Sequence, residues 1–456
     1  MQQSRDGFSS RFGVIAAAAG SAIGLGNIWR FPYVLGENGG GAFFLVYMGF
    51  IFLLGIPLML TEMSVGRAGQ KNPYGTFRVL APKTKWYLVG VMGVAAAFLI
   101  LSFYSAVAGW TLHYLSDAVM DNFSGKSSAE LKGMYDSFTS SAVAPSVWTL
   151  VFLFLTGLVV VSGVEKGIEK YSKILMPLLF VIIVILDIRS VTLDGAEEGL
   201  KFLFHPDFSK LDSKAVLEAL GQAFFSLSLG MGTMITYGSY IGKKENLLSS
   251  ATSVSLADTL IAVLAGVAIF PAVFAFGISP DSGPGLVFIT LPNVFLQMPG
   301  GYFFSVLFFL LLVIAALTSS ISLLEVVVSY FTEELKLSRK TATAIAFVSV
   351  GVFGVLSSLS SGPLKEFTVL DKTIFNLFDF ISSNILLPLA GLFIVLFAGW
   401  KWSRKSIATE ILGEGKQETT LFKVFMFIIK FIAPFAIALV FIHAVGLIDI
   451  IGRIKI

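Results

Sequence analysis

The chain has 456 residues, 55% hydrophobic and only 13% charged, with a mean hydropathy of +0.84. A soluble domain carries roughly a quarter charged residues, so this balance places most of the chain in lipid. A net charge of +3 gives no reason to expect nucleic acid as a partner, and the absence of cysteine excludes disulfides, thiolate nucleophiles and cysteine-held metals.

The first apolar segment, 11–35, contains Asn27 and Arg30 and is not followed by a small-residue cleavage site, so it reads as a span rather than a cleaved signal peptide. A span needs roughly 20 apolar residues. Ten further segments of about that length follow at 41–66, 86–116, 147–163, 168–187, 214–240, 250–277, 302–331, 342–358, 372–399 and 421–449. Alternate connections are basic: Arg67, Lys71, Arg78, Lys83 and Lys85; then Lys166, Lys170 and Lys173; then Lys243 and Lys244; then Lys336, Arg339 and Lys340; then Lys401, Arg404 and Lys405. By the positive-inside rule these lie in the cytoplasm, which puts the amino terminus inside and, with eleven spans, the carboxyl terminus outside. The longest outer loop, 117–146, is serine-rich and mostly acidic.

Segments one and six share an interruption. Residues 22–27 read AIGLGN and residues 228–233 read SLGMGT, each a Gly-X-Gly followed by a small polar residue inside an apolar run. Glycine costs a helix about 1 kcal/mol relative to alanine, and in lipid any freed backbone group needs a partner. Such glycines serve either close helix packing or a break in the helix, and their recurrence five helices apart points to paired breaks around a binding site. No nucleophile, base and orienter grouping accompanies them, and His113, His205 and His443 are too scattered for a metal cluster, so an enzyme is not expected.

The stretch SAIGLGNIWRFPY at 21–33 resembles the first helix of the neurotransmitter:sodium symporters. GQAFFSLSLGMGTMITYGSY at 221–240, ALTSSIS at 316–322 and the Gly-X9-Pro of Gly167 to Pro177 match the same family in order and spacing. The nearest subgroup is the bacterial hydrophobic amino acid transporters with eleven spans. The resemblance implies an all-α membrane protein with an inverted five-plus-five repeat: residues 1–190 form the first repeat, 191–400 the second, and 401–456 an inner loop and an eleventh helix. Helices one and six would be unwound at the membrane midplane. It also implies an alternating-access symporter in a bacterial plasma membrane, monomeric or weakly homo-oligomeric, driven by two co-transported sodium ions. An amino acid sensor and a proton-driven carrier are the alternatives.

Carried over residue by residue, one sodium site would use Ala22, Asn27, Ser226 and Asp258 with the substrate carboxylate, and the other Gly20, Ile23, Ala315, Thr318 and Ser319. Sodium is a hard cation that takes oxygen ligands, and unwound backbone exposes carbonyls. Taken alone, the Thr318 and Ser319 hydroxyls could equally bond back to carbonyls one turn earlier. Asp258 stands where the family usually has Asn, and Ala262 where chloride-dependent members have Ser and chloride-independent ones Glu. A carboxylate on Asp258 would supply the missing charge, so transport without chloride is expected. Gly24, where monoamine carriers have Asp, leaves room for a substrate carboxylate beside Ala22, Leu25 and Gly26, with Tyr104 as its hydroxyl donor. Ile23, Leu25, Ile100, Phe225, Ser228, Met231, Ser319 and Leu323 would line a side-chain pocket without charge, fit for aliphatic to aromatic amino acids. Arg30 with Asp379 would form the outer gate, and Arg5 with Glu333, near Tyr240, the inner one. Glu62 would hold unwound backbone, and Gly167 and Pro177 would let the inner end of the fifth helix unwind.

Overall fold

The computed structural model of the chain describes residues 7–277 and 287–445, and no β-strand occurs among them. The first expected span is two helices, α1 (Arg11–Ala22) and α2 (Gly26–Glu37), meeting at 46°. Seven unbroken or nearly unbroken spans surround them in sequence: α3 (Gly41–Gly69), α4 (Tyr87–Val119), α5 (Ala144–Val161), α6 (Val164–Val191), then, after a second broken pair, α9 (Leu247–Ala275), α10 (Gly301–Glu334) and α11 (Arg339–Leu359). Two more, α12 (Ile374–Lys401) and α13 (Thr420–Ala444), complete nine helices long and apolar enough to cross a membrane among the described residues, or ten with the bent pair. The expected span at 214–240 is α7 (Ser213–Ser226) and α8 (Thr233–Gly238), separated by Leu227 to Gly232, so neither piece is long enough to cross alone. Boundaries elsewhere fall within a few residues of those expected, except that the expected end of the last span, 446–449, lies outside the described residues.

Local chemistry sets where helices start. Ser10, Asp212, Asn246, Ser338, Thr373 and Thr419 are side-chain N-caps of α1, α7, α9, α11, α12 and α13. Wide π-helical turns recur just before prolines: Gly26–Arg30 before Pro32, Ile51–Gly55 before Pro57, Phe380–Leu386 before Pro388 and Ile428–Ile432 before Pro434. A proline has no N–H and its ring collides with the carbonyl four residues back; widening the preceding turn relieves both without ending the helix. Gly167 sits in a wide π turn, Val164–Glu169, and Pro177 in the α-helical remainder of α6, Lys170–Val191, so the unwinding expected of them is not present in this conformation.

Short helices decorate the connections: Ser128–Ser140, Ala196–Phe204, Thr290–Gln297 and Arg404–Leu412. The last of these pins the basic face together. Glu410 pairs with the buried Arg67 at the end of α3 (Nε to Oε2, 2.9 Å) and with Lys243 beyond α8. Arg67 is only 3% exposed, so Glu410→Gln leaves a buried guanidinium without its countercharge. The expected cost is about 3 kcal/mol, seen as a lower unfolding temperature of the detergent-solubilised chain.

Candidate functional site

The backbone leaves α1 at Ile23, which is extended (φ −74°, ψ 104°). The second break is tighter: Ser228, Gly230 and Gly232 all have positive φ (54°, 80° and 76°). A Cβ on Gly230 would also lie 2.5 Å from the Leu387 carbonyl, so this position requires glycine on two counts. The freed backbone is met by side chains. Glu62 Oε1 accepts from Gly230 N at 2.8 Å, Tyr104 Oη accepts from Leu25 N at 3.0 Å, Gln222 Nε2 donates to the Gly26 carbonyl at 3.1 Å, and Ser228 Oγ donates to the Ser21 carbonyl at 2.8 Å. Glu62, expected to hold unwound backbone of helices one and six, thus holds the second break through Oε1, while among the described residues its Oε2 has no hydrogen-bond partner and it makes no bond to the first break.

Two oxygen-rich clusters flank the breaks. In the first, Asp258 of α9 is fully buried. Its Oδ1 accepts from Asn27 Nδ2 at 2.7 Å and its Oδ2 from Ser226 Oγ at 2.8 Å, while Tyr47 Oη donates to Ser226 Oγ at 3.1 Å. Among the described residues no Lys, Arg or His lies within 4.0 Å of Asp258, so its polar neighbours solvate the carboxylate without neutralising it. The Asn27 amide is turned so that Oδ1 accepts from Gly24 N at 3.1 Å; presenting that oxygen to a cation requires a half-turn of the amide.

The second cluster joins α1 to α10. Ser319 Oγ lies 3.2 Å from the carbonyl oxygens of both Gly20 and Ile23. Thr318 Oγ1 lies 3.1 Å from the Ala315 carbonyl and 3.5 Å from that of Ile23. Ser319 Oγ lies equally close to the Ser21 carbonyl, 3.2 Å, so these hydroxyls gather oxygens of α1 and α10 at hydrogen-bond distance. Thr318 also bonds back to Ile314 at 3.1 Å, so the local alternative coexists with the reach across to α1.

Between the clusters lies a cavity of about 30 Å³ lined by Ser21, Ala22, Gly24, Gly26, Ile100, Tyr104, Phe225, Ser228, Met231, Ser319 and Leu323. Ile23 and Leu25, expected in that lining, are buried but do not face it. The void has room for one or two waters, so a larger ligand must open it. Phe225 is shared with a second cavity of about 400 Å³, open to the outside of the bundle and lined by Arg30, Tyr33, Glu37, Glu218, Gln222 and His443 among others. The Arg30 guanidinium covers the Phe225 ring, 4.6 Å from its centre, and the two form the partition between the cavities.

The expected ion pair of Arg30 with Asp379 is not formed. Asp379 starts the wide turn of α12 and its Oδ1 accepts from Ser383 at 2.8 Å, while Arg30 stacks on Phe225. On the opposite side Arg5 lies outside the described residues. Glu333 accepts from Asn72 N and Nδ2 at 2.8 and 3.0 Å. Tyr240 Oη donates to Glu325 Oε1 at 2.6 Å, and Glu325 is bound in turn by Arg339. The sequence reading missed Tyr47, Gln222 and the Glu325–Arg339 pair. A signal for the last existed, since a glutamate inside a span demands a partner.

A sequence pattern described as the sodium:neurotransmitter symporter family matches residues 5–133 and 128–450. An uncharacterized sodium-dependent transporter of Bacillus subtilis is 42% identical over 442 residues, covering 97% of this chain and 98% of that protein. Another from Haemophilus influenzae is 37% identical over 449 residues, covering 96% and 98%. The crystal structure of MhsT in complex with L-phenylalanine superposes with a TM-score of 0.90 at 48% identity, covering 96% of this chain and 100% of that one.

Proposed function

From the premise that the chain belongs to the sodium:neurotransmitter symporter family and is a sodium-dependent membrane transporter, we propose that it imports hydrophobic L-amino acids, aliphatic to aromatic, with two sodium ions and without chloride. The similar MhsT was crystallised with L-phenylalanine, which favours that substrate class. The single observation that carries the reading is Asp258: a buried carboxylate, solvated by Asn27 and Ser226, beside two breaks that bare peptide oxygens.

In this reading one sodium sits among Asp258, Asn27, Ser226 and the Ala22 carbonyl and shares the substrate's carboxylate, which couples ion to substrate. The second sits in the cage of Gly20, Ile23, Ala315, Thr318 and Ser319. The ammonium is held by backbone carbonyls of the breaks, and the side chain enters between Ile100, Met231 and Leu323. The halves 1–190 and 191–400 act as inverted repeats that rock about this site, with 401–456 outside the repeat. Arg30 and Phe225 close the outer side, and Arg5, Glu333 and Tyr240 belong to the inner closure, with the amino terminus in the bacterial cytoplasm. One sodium crossing a tenfold gradient and 100 mV releases about 3.7 kcal/mol, so even one ion drives a several-hundred-fold accumulation of a zwitterion.

The test is uptake of labelled L-phenylalanine into proteoliposomes. Accumulation lost when choline replaces sodium, and kept when gluconate replaces chloride, supports the proposal. Accumulation driven by a proton gradient alone identifies a proton-driven carrier, and saturable binding without accumulation identifies a sensor. Tyr104→Phe removes the hydroxyl that meets Leu25 N and would meet the carboxylate. Substrate affinity is expected to fall about tenfold, with maximal uptake less affected, in a competition assay.

A further inference from the structure

Lys430 lies inside α13, ten residues beyond its first residue, Thr420. A lysine within a span needs a partner, and among the described residues no carboxylate oxygen lies within 4.0 Å of its ammonium. Its ring contacts are Trp400 at the end of α12, 4.3 Å from Nζ to the centre, and Phe431, 5.7 Å. The platform is built in. Pro434 has no N–H to give the carbonyl four residues back, which is that of Lys430, and the Trp400 indole N–H donates to it at 3.2 Å. Gly399 brings the two helices together, with its side-chain position 3.2 Å from the Lys430 Cα. Trp400 and Phe431 remain more than half exposed, so this pair faces outward from the bundle.

A ring face attracts an ammonium but accepts none of its three N–H donors as an anion would. Lys401 follows Trp400 directly, and the connection beyond carries Lys405 and Lys416, while Arg404 is held by both oxygens of Glu418. The surface therefore joins a cation with no carboxylate partner among the described residues, an indole of the kind that settles at the headgroup level, exposed aromatics alongside, and the nearby Lys401, Lys405 and Lys416. We propose that Lys430, Trp400 and Lys401 form a site for the phosphate of an anionic phospholipid, with its acyl chain lying along Phe427 and Phe431.

The full-length chain, purified from vesicles holding equal phosphatidylglycerol and phosphatidylcholine, is weighed by native mass spectrometry to count the lipids it retains. The wild type should retain phosphatidylglycerol in preference. Lys430→Gln and Trp400→Leu should each reduce that preference about fivefold, the scale of one lysine at a charged membrane surface, with Lys430→Arg keeping it. Lys244→Gln, an exposed lysine without an aromatic platform, should leave it unchanged. Equal retention of the two lipids by the wild type overturns the proposal, whatever the variants do. So does undiminished phosphatidylglycerol on a Lys430→Gln chain whose unfolding temperature matches wild type.

Discussion

Asp258→Asn is expected to raise the sodium concentration needed for half-maximal L-phenylalanine uptake about a hundredfold. The carboxylate is fully buried and its neighbours Asn27, Ser226 and Tyr47 are neutral, so it is the one formal negative charge the cluster offers a cation. Removing one member of a buried charge pair costs about 2–5 kcal/mol, and the middle of that range is two to three decades in affinity. The substitution is nearly isosteric and its amide can still meet Ser226, so the protein should unfold at about the wild-type temperature. Adding Ala262→Glu, the residue that chloride-independent relatives carry one turn further along, should restore much of the affinity. Unchanged sodium dependence in Asp258→Asn would remove the basis of the functional reading.

Gly24→Ala should abolish substrate binding while leaving the fold intact. A Cβ there would stand 2.3 Å from Ser319 Oγ and 2.9 Å from Tyr104 Oη, pressing on one expected sodium ligand and one expected substrate ligand at once. The backbone at Gly24 needs no left-handed conformation, so the effect is one of space. Overpacking of this kind costs about 1–3 kcal/mol, but here it falls on the cavity rather than the core, and displacement of two ligands should weaken binding more than a hundredfold. Pairing the change with Ser319→Gly restores room without restoring the hydroxyl. The double variant should unfold at the wild-type temperature yet not regain sodium-stimulated binding of labelled L-phenylalanine; full recovery of binding would show that Ser319 Oγ is packing rather than a ligand.

Much of this architecture was legible in the residues because lipid leaves few choices. Long apolar runs gave the spans, and the glycine pairs at 24–26 and 230–232 marked both breaks; at the second, positive φ at Ser228, Gly230 and Gly232 is what stops the helix, whereas Gly24 and Gly26 keep negative φ. Asp258 announced itself as a charge inside a span. Contacts that depend on how helices rotate against each other were less accessible. Arg30 could reach either Asp379 or Phe225 by sequence alone, and only the turn of α12 that gives Asp379 to Ser383 decides between them. Tyr47 is one aromatic among many until α3 is placed against α9 and α7. The helix Ser128–Ser140, by contrast, could have been found, because Ser127 and Glu130 form a capping box readable from their spacing.

The wide turn at Ile51–Gly55 reaches beyond Pro57 itself. It carries one residue more than an ordinary turn would, and each residue advances a helix by about 100°, so everything downstream is dialled round by that amount. Glu62 faces Gly230 only in that phase. A chimera that swapped in a regular α-helical stretch of the same length would keep every downstream amino acid yet turn this carboxylate away by about 100°, and the second break would lose its anchor to a change several residues distant; a regular stretch one residue shorter would keep it facing Gly230.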